Sequence, residues 1–243
     1  MSRIVLVNQS STPDDAGSGN AQLFIQGNEL HQQVGTSNKV KLTLTPGISA
    51  LEQGDTSFVA PNGCTFIEME LWGAGGSGAR GGQGHGGGGG GAYCFAGAVV
   101  TPGTSYTVAV GAGGASSSGS GNNGGNTTFT VGGTTYTANG GAGGGTSGSN
   151  TPSHGGAGGT ASNGLLNKSG QKGGWGEWDE GGHSGGGAPC GGNGGIGSPA
   201  QSSSSTPGAG DGCFPGGGGG AARDANSGAG ADGLILVRFM REL

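Results

Sequence analysis

Charge is scarce in this chain: nine lysines and arginines and fourteen aspartates and glutamates among 243 residues. A net charge of −5, with no cluster of basic residues, lacks the electrostatic footprint of a nucleic-acid binder. Bulk is scarce too. Hydrophobic residues make up 30% and aromatics 5%, so a large core filled by side chains is excluded. No apolar run approaches the roughly 18–20 residues that span a bilayer, so no membrane insertion is expected. The apolar part of the N-terminal MSRIVLVNQSS is too short for a signal peptide. No window shows a 3.6-residue apolar period, and glycine penalises helix throughout.

The usual chemical signatures are missing as well. There is no GxxxxGKS/T loop, no HExxH or HxH spacing and no CxxC pair. His31, His85, His154 and His183 are scattered, and no nucleophile stands beside a base. Cys64, Cys94, Cys190 and Cys213 lie far apart, which makes free buried thiols the simplest reading and leaves disulfide pairing open. Gly73-x-Gly75-x-x-Gly78 follows a strand pattern, as a dinucleotide-binding turn would, but the next residues cannot form the helix that chemistry needs. The chain is therefore expected to be no enzyme and to carry no cofactor or metal. So few side chains could hardly hold a catalytic geometry.

What the chain has is glycine, 67 residues of it, mostly between Trp72 and Gly233. A stretch with so little to bury needs another source of cohesion, because ordering glycine costs more backbone entropy than ordering any other residue. The spacing suggests that source. Gly75, Gly78, Gly81, Gly84, Gly87 and Gly90 recur every third residue, with Ala74, Ser77, Arg80 and Gln83 in a second register. Three residues per turn is the period of the polyproline-II type of helix, which has no internal hydrogen bonds. Its amides must pair with neighbours, and a bare glycine edge lets neighbouring backbones approach. The other registers are then expected to face solvent or a ligand. A flexible glycine-serine linker is the competing reading.

Around this body lie strand patterns. SRIVLVN, AQLFI, ELHQQV and KVKLTL read as short strands, with a hairpin turn at Gln26-Gly27-Asn28 and a stop at Thr45-Pro46-Gly47. In SFVAPNGCTFIEMELWG, the residues Thr65, Ile67, Met69 and Leu71 alternate with Phe66, Glu68, Glu70 and Trp72. GLILVRFMREL alternates likewise, and the two strong strands are expected in one sheet that closes the domain. AYCFAGAVV, TSYTVAVG, NTTFTV and TTYTAN fill the interval. The expected fold is all-β: a small antiparallel β-sandwich with extensive polyglycine-II-like segments, preceded by a short N-terminal β-hairpin region. The division is 1–54 for attachment or oligomerisation and 55–243 for the glycine-rich β domain.

The segment FVAPNGCTFIEMELWGAGGSGARGGQGHGGGGGGAYCFAGAVVTPGTSYTVAVGAGG, continued by GGNTTFTVGGTTYTANGGAGGG and closed by GAGADGLILVRF, resembles over roughly residues 55–240 the glycine-rich domain of tailed-bacteriophage tail and fibre proteins. A similar domain occurs in the extracellular part of some receptor tyrosine kinases, but no leader or membrane span is expected here, which argues against that context. Residues 1–50 also resemble the hairpin segments that begin phage fibres. The resemblance implies a virion protein, a tail fibre or adhesin whose loops between packed glycine threads touch the host surface. A homotrimer is implied, joined to other virion proteins through its N-terminal region. A capsid, tail or head-fibre decoration protein without a receptor is the alternative, and a glycan-active enzyme a remote third.

One cluster suggests where a receptor would bind. Trp175, Trp178, Asp179, Glu180 and His183 fall within nine residues of an otherwise bare region. Indole faces stack on sugar rings or apolar groups, and carboxylates accept sugar hydroxyls. The tryptophans could equally plug gaps in the scaffold or mediate a subunit contact. An oxygen-ligand calcium site is only weakly suggested by one short acidic run. Ser198 to Pro207 and Asn163 to Lys172 read as surface loops, with Leu165 and Leu166 exposed unless covered.

Overall fold

The computed structural model describes residues 8–9, 21–26, 29–34, 38–42, 44–81, 84–146, 153–176, 183–198, 208–223 and 225–242. Among the described residues there is no helix. The chain opens with β1 (Asn8–Gln9), β2 (Ala21–Gln26), β3 (Glu29–Val34) and β4 (Asn38–Leu42), hydrogen-bonded in that order. β2 and β3 form the expected hairpin. Residues 1–7, and Gly27 and Asn28 of its turn, lie outside the described residues.

The expected stop at Thr45-Pro46-Gly47 is corrected. Those residues lie within β5 (Leu44–Leu51), which pairs along its length with the C-terminal strand β14 (Leu234–Glu242). β5 is the edge of its sheet, the position at which a strand tolerates proline. The ring of Phe239 lies against Gly47, filling the space a side chain there would take.

Two five-stranded antiparallel sheets form the sandwich. The first orders β13 (Leu166–Lys168), β8 (Tyr93–Val99), β7 (Phe66–Trp72), β14 and β5. The second orders β12 (Ala161–Ser162), β11 (Thr134–Ala138), β10 (Thr127–Val131), β9 (Ser105–Ala109) and β6 (Ser57–Val59). The two strong strands are neighbours as expected, with Ile235 opposite Leu71 and Val237 opposite Met69. Alternation sends Ile67, Met69, Leu71, Ile235 and Val237 inward, where they meet Val108 and Phe129 of the second sheet. Phe58 links the two sides, its ring 5.8 Å from Phe129 and 6.4 Å from Phe239. Gly132 and Gly133, at φ of 58° and 77°, make the β10–β11 turn that side chains would strain.

The glycine body is a lattice of extended threads. Six hairpins leave the sandwich and return to it. Their arms are 73–80 with 85–92, 111–115 with 119–125, 139–146 with 153–160, 170–176 with 183–188, 192–198 with 208–213, and 216–222 with 226–233. Within the first, Gly73, Gly76 and Ala79 donate to Ala92, Gly89 and Gly86 at 2.9–3.1 Å. The next register, Ala74, Ser77 and Arg80, donates to the 119–125 arm, and Gly75 and Gly78 donate to the 226–233 arm. Carbonyls of the same thread accept from Gly114, from Gly141 and Gly144, and from Gly219 and Ala222. Each turn of three thus serves three donor neighbours and three acceptor neighbours. Amide pairing replaces apolar filling, at about 1 kcal/mol net per bond, and it leaves few of the buried amides to bear the cost of going unpaired.

This packing corrects one expectation. The second register does not all face outward: Ala74 and Ser77 are fully buried. A thread surrounded by six others has no solvent side. Ser77 remains satisfied because its hydroxyl accepts from the Asn122 amide at 2.8 Å.

Candidate functional site

Hydrogen-bond register fixes which ends of the threads meet. In the third hairpin Asn139 donates to Thr160, Ala142 to Ala157 and Gly145 to His154. In the fourth, Gln171 donates to Gly187 and Gly174 to Ser184. Between hairpins, Ala92 donates to Asn139 and Gly86 to Gly145. The described thread ends at 80 and 85, 115 and 119, 146 and 153, 176 and 183, 198 and 208, and 222 and 226 therefore gather at one end, away from the sandwich. Cross-links tie this tip together. Arg80 donates to the Asn226 side-chain oxygen at 3.3 Å, the Ser117 amide to the Ser227 hydroxyl at 2.8 Å, and the Ser120 and Thr146 hydroxyls meet at 3.1 Å.

Trp175 stands at this tip with 54% of its surface exposed. It is not a plug in the lattice. The Lys172 ammonium lies 4.7 Å from the centre of its ring, and His154 meets it edge-on at 5.3 Å between ring centres. Each residue reaches the indole for a reason the thread geometry supplies. Lys172 precedes Trp175 by three residues, one full turn, so both project from the same side. His154 begins the return arm 153–160, whose Gly156 accepts from Gly173 on the Trp175 thread. The arrangement is an exposed aromatic face with a cation over it, a contact worth about 0.5–1 kcal/mol at such a site.

Of the residues singled out from the sequence, Trp175 and His183 are the two described, and they stand on adjoining arms. His183 is half-buried on the adjoining arm, its carbonyl accepting from the Ala221 amide at 2.8 Å. Gly174, next to Trp175, backs onto the His183 side chain. Trp178, Asp179 and Glu180 lie outside the described residues. Lys172 and His154 were not foreseen, although the triplet period, once accepted, pairs Lys172 with Trp175.

The profile of the glycine-rich domain family matches residues 50–240. The chain belongs to that family. The glycine-rich domain match takes in β6–β13, most of β14, the lattice and the tip; it begins at the end of β5 and leaves out β1–β4. No curated protein sequence matches the chain.

All four cysteines are free: Cys64 and Cys94 are buried in the sandwich, Cys190 and Cys213 exposed. Burial pushes the Cys94 thiol up to about 11 and raises that of Cys64 as well. On the outer side of the first sheet the Tyr93 hydroxyl donates to Glu70 at 2.9 Å, and Arg238 pairs with the same carboxylate. Burial, then this hydrogen bond, raises the Tyr93 phenol far above its ordinary range. Among the described residues no cluster of histidine, cysteine, aspartate or glutamate has the makings of a metal site. The Asn163–Lys172 stretch is exposed at Leu165 and Leu166, as expected, and contributes β13 to the sheet edge. Of the other expected loop, Ser198 is buried, and the positions after it lie outside the described residues.

Proposed function

We propose that this chain is a structural protein of a bacteriophage particle, a tail fibre or adhesin that presents its tip loops to a host-surface glycan or protein. The reading rests on one observation: the far ends of six thread pairs collect at a single end of the lattice, and an exposed tryptophan stands among them with Lys172 and His154. The opposite end suits attachment. β5 begins at Leu44, paired with Glu242 at the pole of the sheet remote from the lattice, and β1–β4 precede it there. The action is binding without catalysis. A scaffold held by interlocked amides fixes the thread ends, so little entropy is lost there on contact. Homotrimeric assembly would multiply weak single contacts into firm attachment. Trp175 supplies the aromatic anchor and Lys172 and His154 polar contacts, and Trp178, Asp179, Glu180 and His183 follow it in the sequence as further candidate contacts.

Host-cell adsorption tests this. Particles carrying Trp175→Ala with Trp178→Ala should adsorb roughly tenfold less or worse, the loss expected of an aromatic hot spot, while still assembling in normal yield. Unchanged adsorption would remove the receptor role and favour a decoration protein of capsid or tail.

A further inference from the structure

A cleft of about 400 Å³ opens where the glycine lattice joins the sandwich, at the end remote from the tip. Glu52, Gln53, Phe214 and Asp232 line it. Three separate stretches of chain supply them. Glu52 and Gln53 follow β5, Phe214 sits in the bend 213–216 between the fifth and sixth hairpins, and Asp232 leads into β14. Among the described residues no lysine or arginine lines the cleft.

Its walls are fixed to one another before any ligand arrives. The Gly216 amide donates to the Asp232 carbonyl at 2.9 Å, which ties the bend to the approach of β14. Leu51 pairs with Ile235, which ties Glu52 to the same strand. Gly217 donates to the Cys213 carbonyl at 3.0 Å and Gly192 to the Pro215 carbonyl at 2.8 Å, so the bend that carries Phe214 is held on both sides. The Glu52 turn closes on itself: its amide donates to the Asp55 carboxylate at 2.9 Å, and its carbonyl accepts from the Asp55 amide at 3.0 Å. The Gly113 amide orients Asp232 by donating to one carboxylate oxygen at 2.7 Å. A carboxylate offers about four acceptor sites, so Asp232 keeps capacity for a ligand. Preformed clefts of this size, with an aromatic wall and a few placed polar groups, are what small ligands occupy.

The lining selects the ligand. Phe214 is 53% exposed, which leaves ring surface for an apolar or cationic group to cover. Two carboxylates with no cation beside them in the lining repel anions and attract cations. A bare metal ion does not suit them: among the described residues no three of histidine, cysteine, aspartate and glutamate stand together to hold one. The charge is better met by a larger, flat group. A guanidinium lies with its plane on an aromatic ring while the N–H groups around its edge reach carboxylates on different walls, and the Gln53 amide oxygen adds an acceptor. We propose that this cleft binds a guanidinium group on a short apolar stem, as in arginine. The inference is independent of the receptor reading, because the cleft lies at the opposite end of the lattice from Trp175.

Backbone amide resonances of the full chain, titrated at low salt with acetyl-arginine amide, test it. The amides of Gln53, Gly113 and Gly216 should shift saturably while the Trp175 indole resonance stays in place. Acetyl-citrulline amide has the same shape without the charge and should bind roughly tenfold more weakly or worse. Glu52→Gln with Asp232→Asn should weaken arginine binding by a similar factor. Asparagine keeps the oxygen that accepts from Gly113, so the wall keeps its shape. Phe214→Ala, at an exposed position, should weaken binding several-fold and gives a second reading if the double variant folds poorly. Free arginine and a tripeptide of arginine flanked by alanines separate the sources: tighter binding of the tripeptide assigns a protein side chain, and tighter binding of free arginine a diffusible ligand. No shift at these amides, equal binding of the citrulline compound, saturation of the cleft by glucose instead, or unchanged binding to both variants would overturn the proposal.

Discussion

Gly88 rests its bare α-carbon on the carbonyl of Gly76: a β-carbon built at Gly88 would stand 2.0 Å from that oxygen. The same holds for Gly75 against Gly217 and for Gly78 against Gly220, each at 2.0 Å. These oxygens belong to backbones themselves pinned by hydrogen bonds, so they cannot yield as a flexible side chain would. Gly88→Ala should therefore cost about 3 kcal/mol or more, at the upper end of overpacking penalties. At Gly119 a β-carbon meets nothing within 4 Å and φ is not positive. Gly119→Ala should be neutral or stabilise by about 0.5 kcal/mol, through the unfolded chain. Denaturant midpoints of the two variants check the contrast, and equal effects would refute close thread packing as the source of cohesion.

The threefold period makes a second, sharper demand. One extra glycine between Gly75 and Gly76 would turn the rest of that thread by about 120° on its axis, because each residue is a third of a turn. Ser77 would then point where a neighbouring carbonyl requires glycine, and each later amide would face the wrong partner. The same glycine added beside Gly119, in the 115–119 reversal at the tip, only lengthens a loop and should cost less than about 1 kcal/mol. The in-thread insertion should give insoluble or unfolded protein and the tip insertion a native melting curve. Soluble, native-like protein from both would mean that register does not hold the lattice.

The sandwich was legible because strand alternation is a local signal. Ile67, Met69 and Leu71 announce a buried face without knowledge of their partners, and the pairing of β7 with β14 followed from their matched strength. Thread geometry was legible from the triplet spacing. The neighbours of each thread were not, because glycine carries no side chain to distinguish one partner from another. Burial of Ala74 and Ser77 depends on six surrounding threads that no local pattern reveals. Pro46 misled for a related reason: its reading as a stop assumes a central strand, and edge position is set by the rest of the sheet. At the tip, Trp175 and His183 stood out by composition, whereas His154 reaches Trp175 across twenty residues of intervening chain.

The cysteines supply a chemical check on the same architecture. Cys190 and Cys213 are exposed and should react at once with a thiol reagent at pH 8, whereas Cys64 and Cys94 should react only as the sandwich opens. The buried pair also links stability to pH. Burial disfavours the thiolate, so the folded Cys94 holds its proton up to about 11 against an ordinary value of 9.0. Below pH 9 both folded and unfolded forms are neutral and the contribution is fully present. Between pH 9 and 11 the unfolded thiol ionises first, the folded state binds more protons, and stability falls as pH rises. Cys94→Ala removes this titration, and the slope of denaturation midpoint against pH across that window should flatten in the variant. An unchanged slope, or reaction of all four thiols at native rates, would place Cys94 in contact with solvent and contradict the packing of β8 against the second sheet.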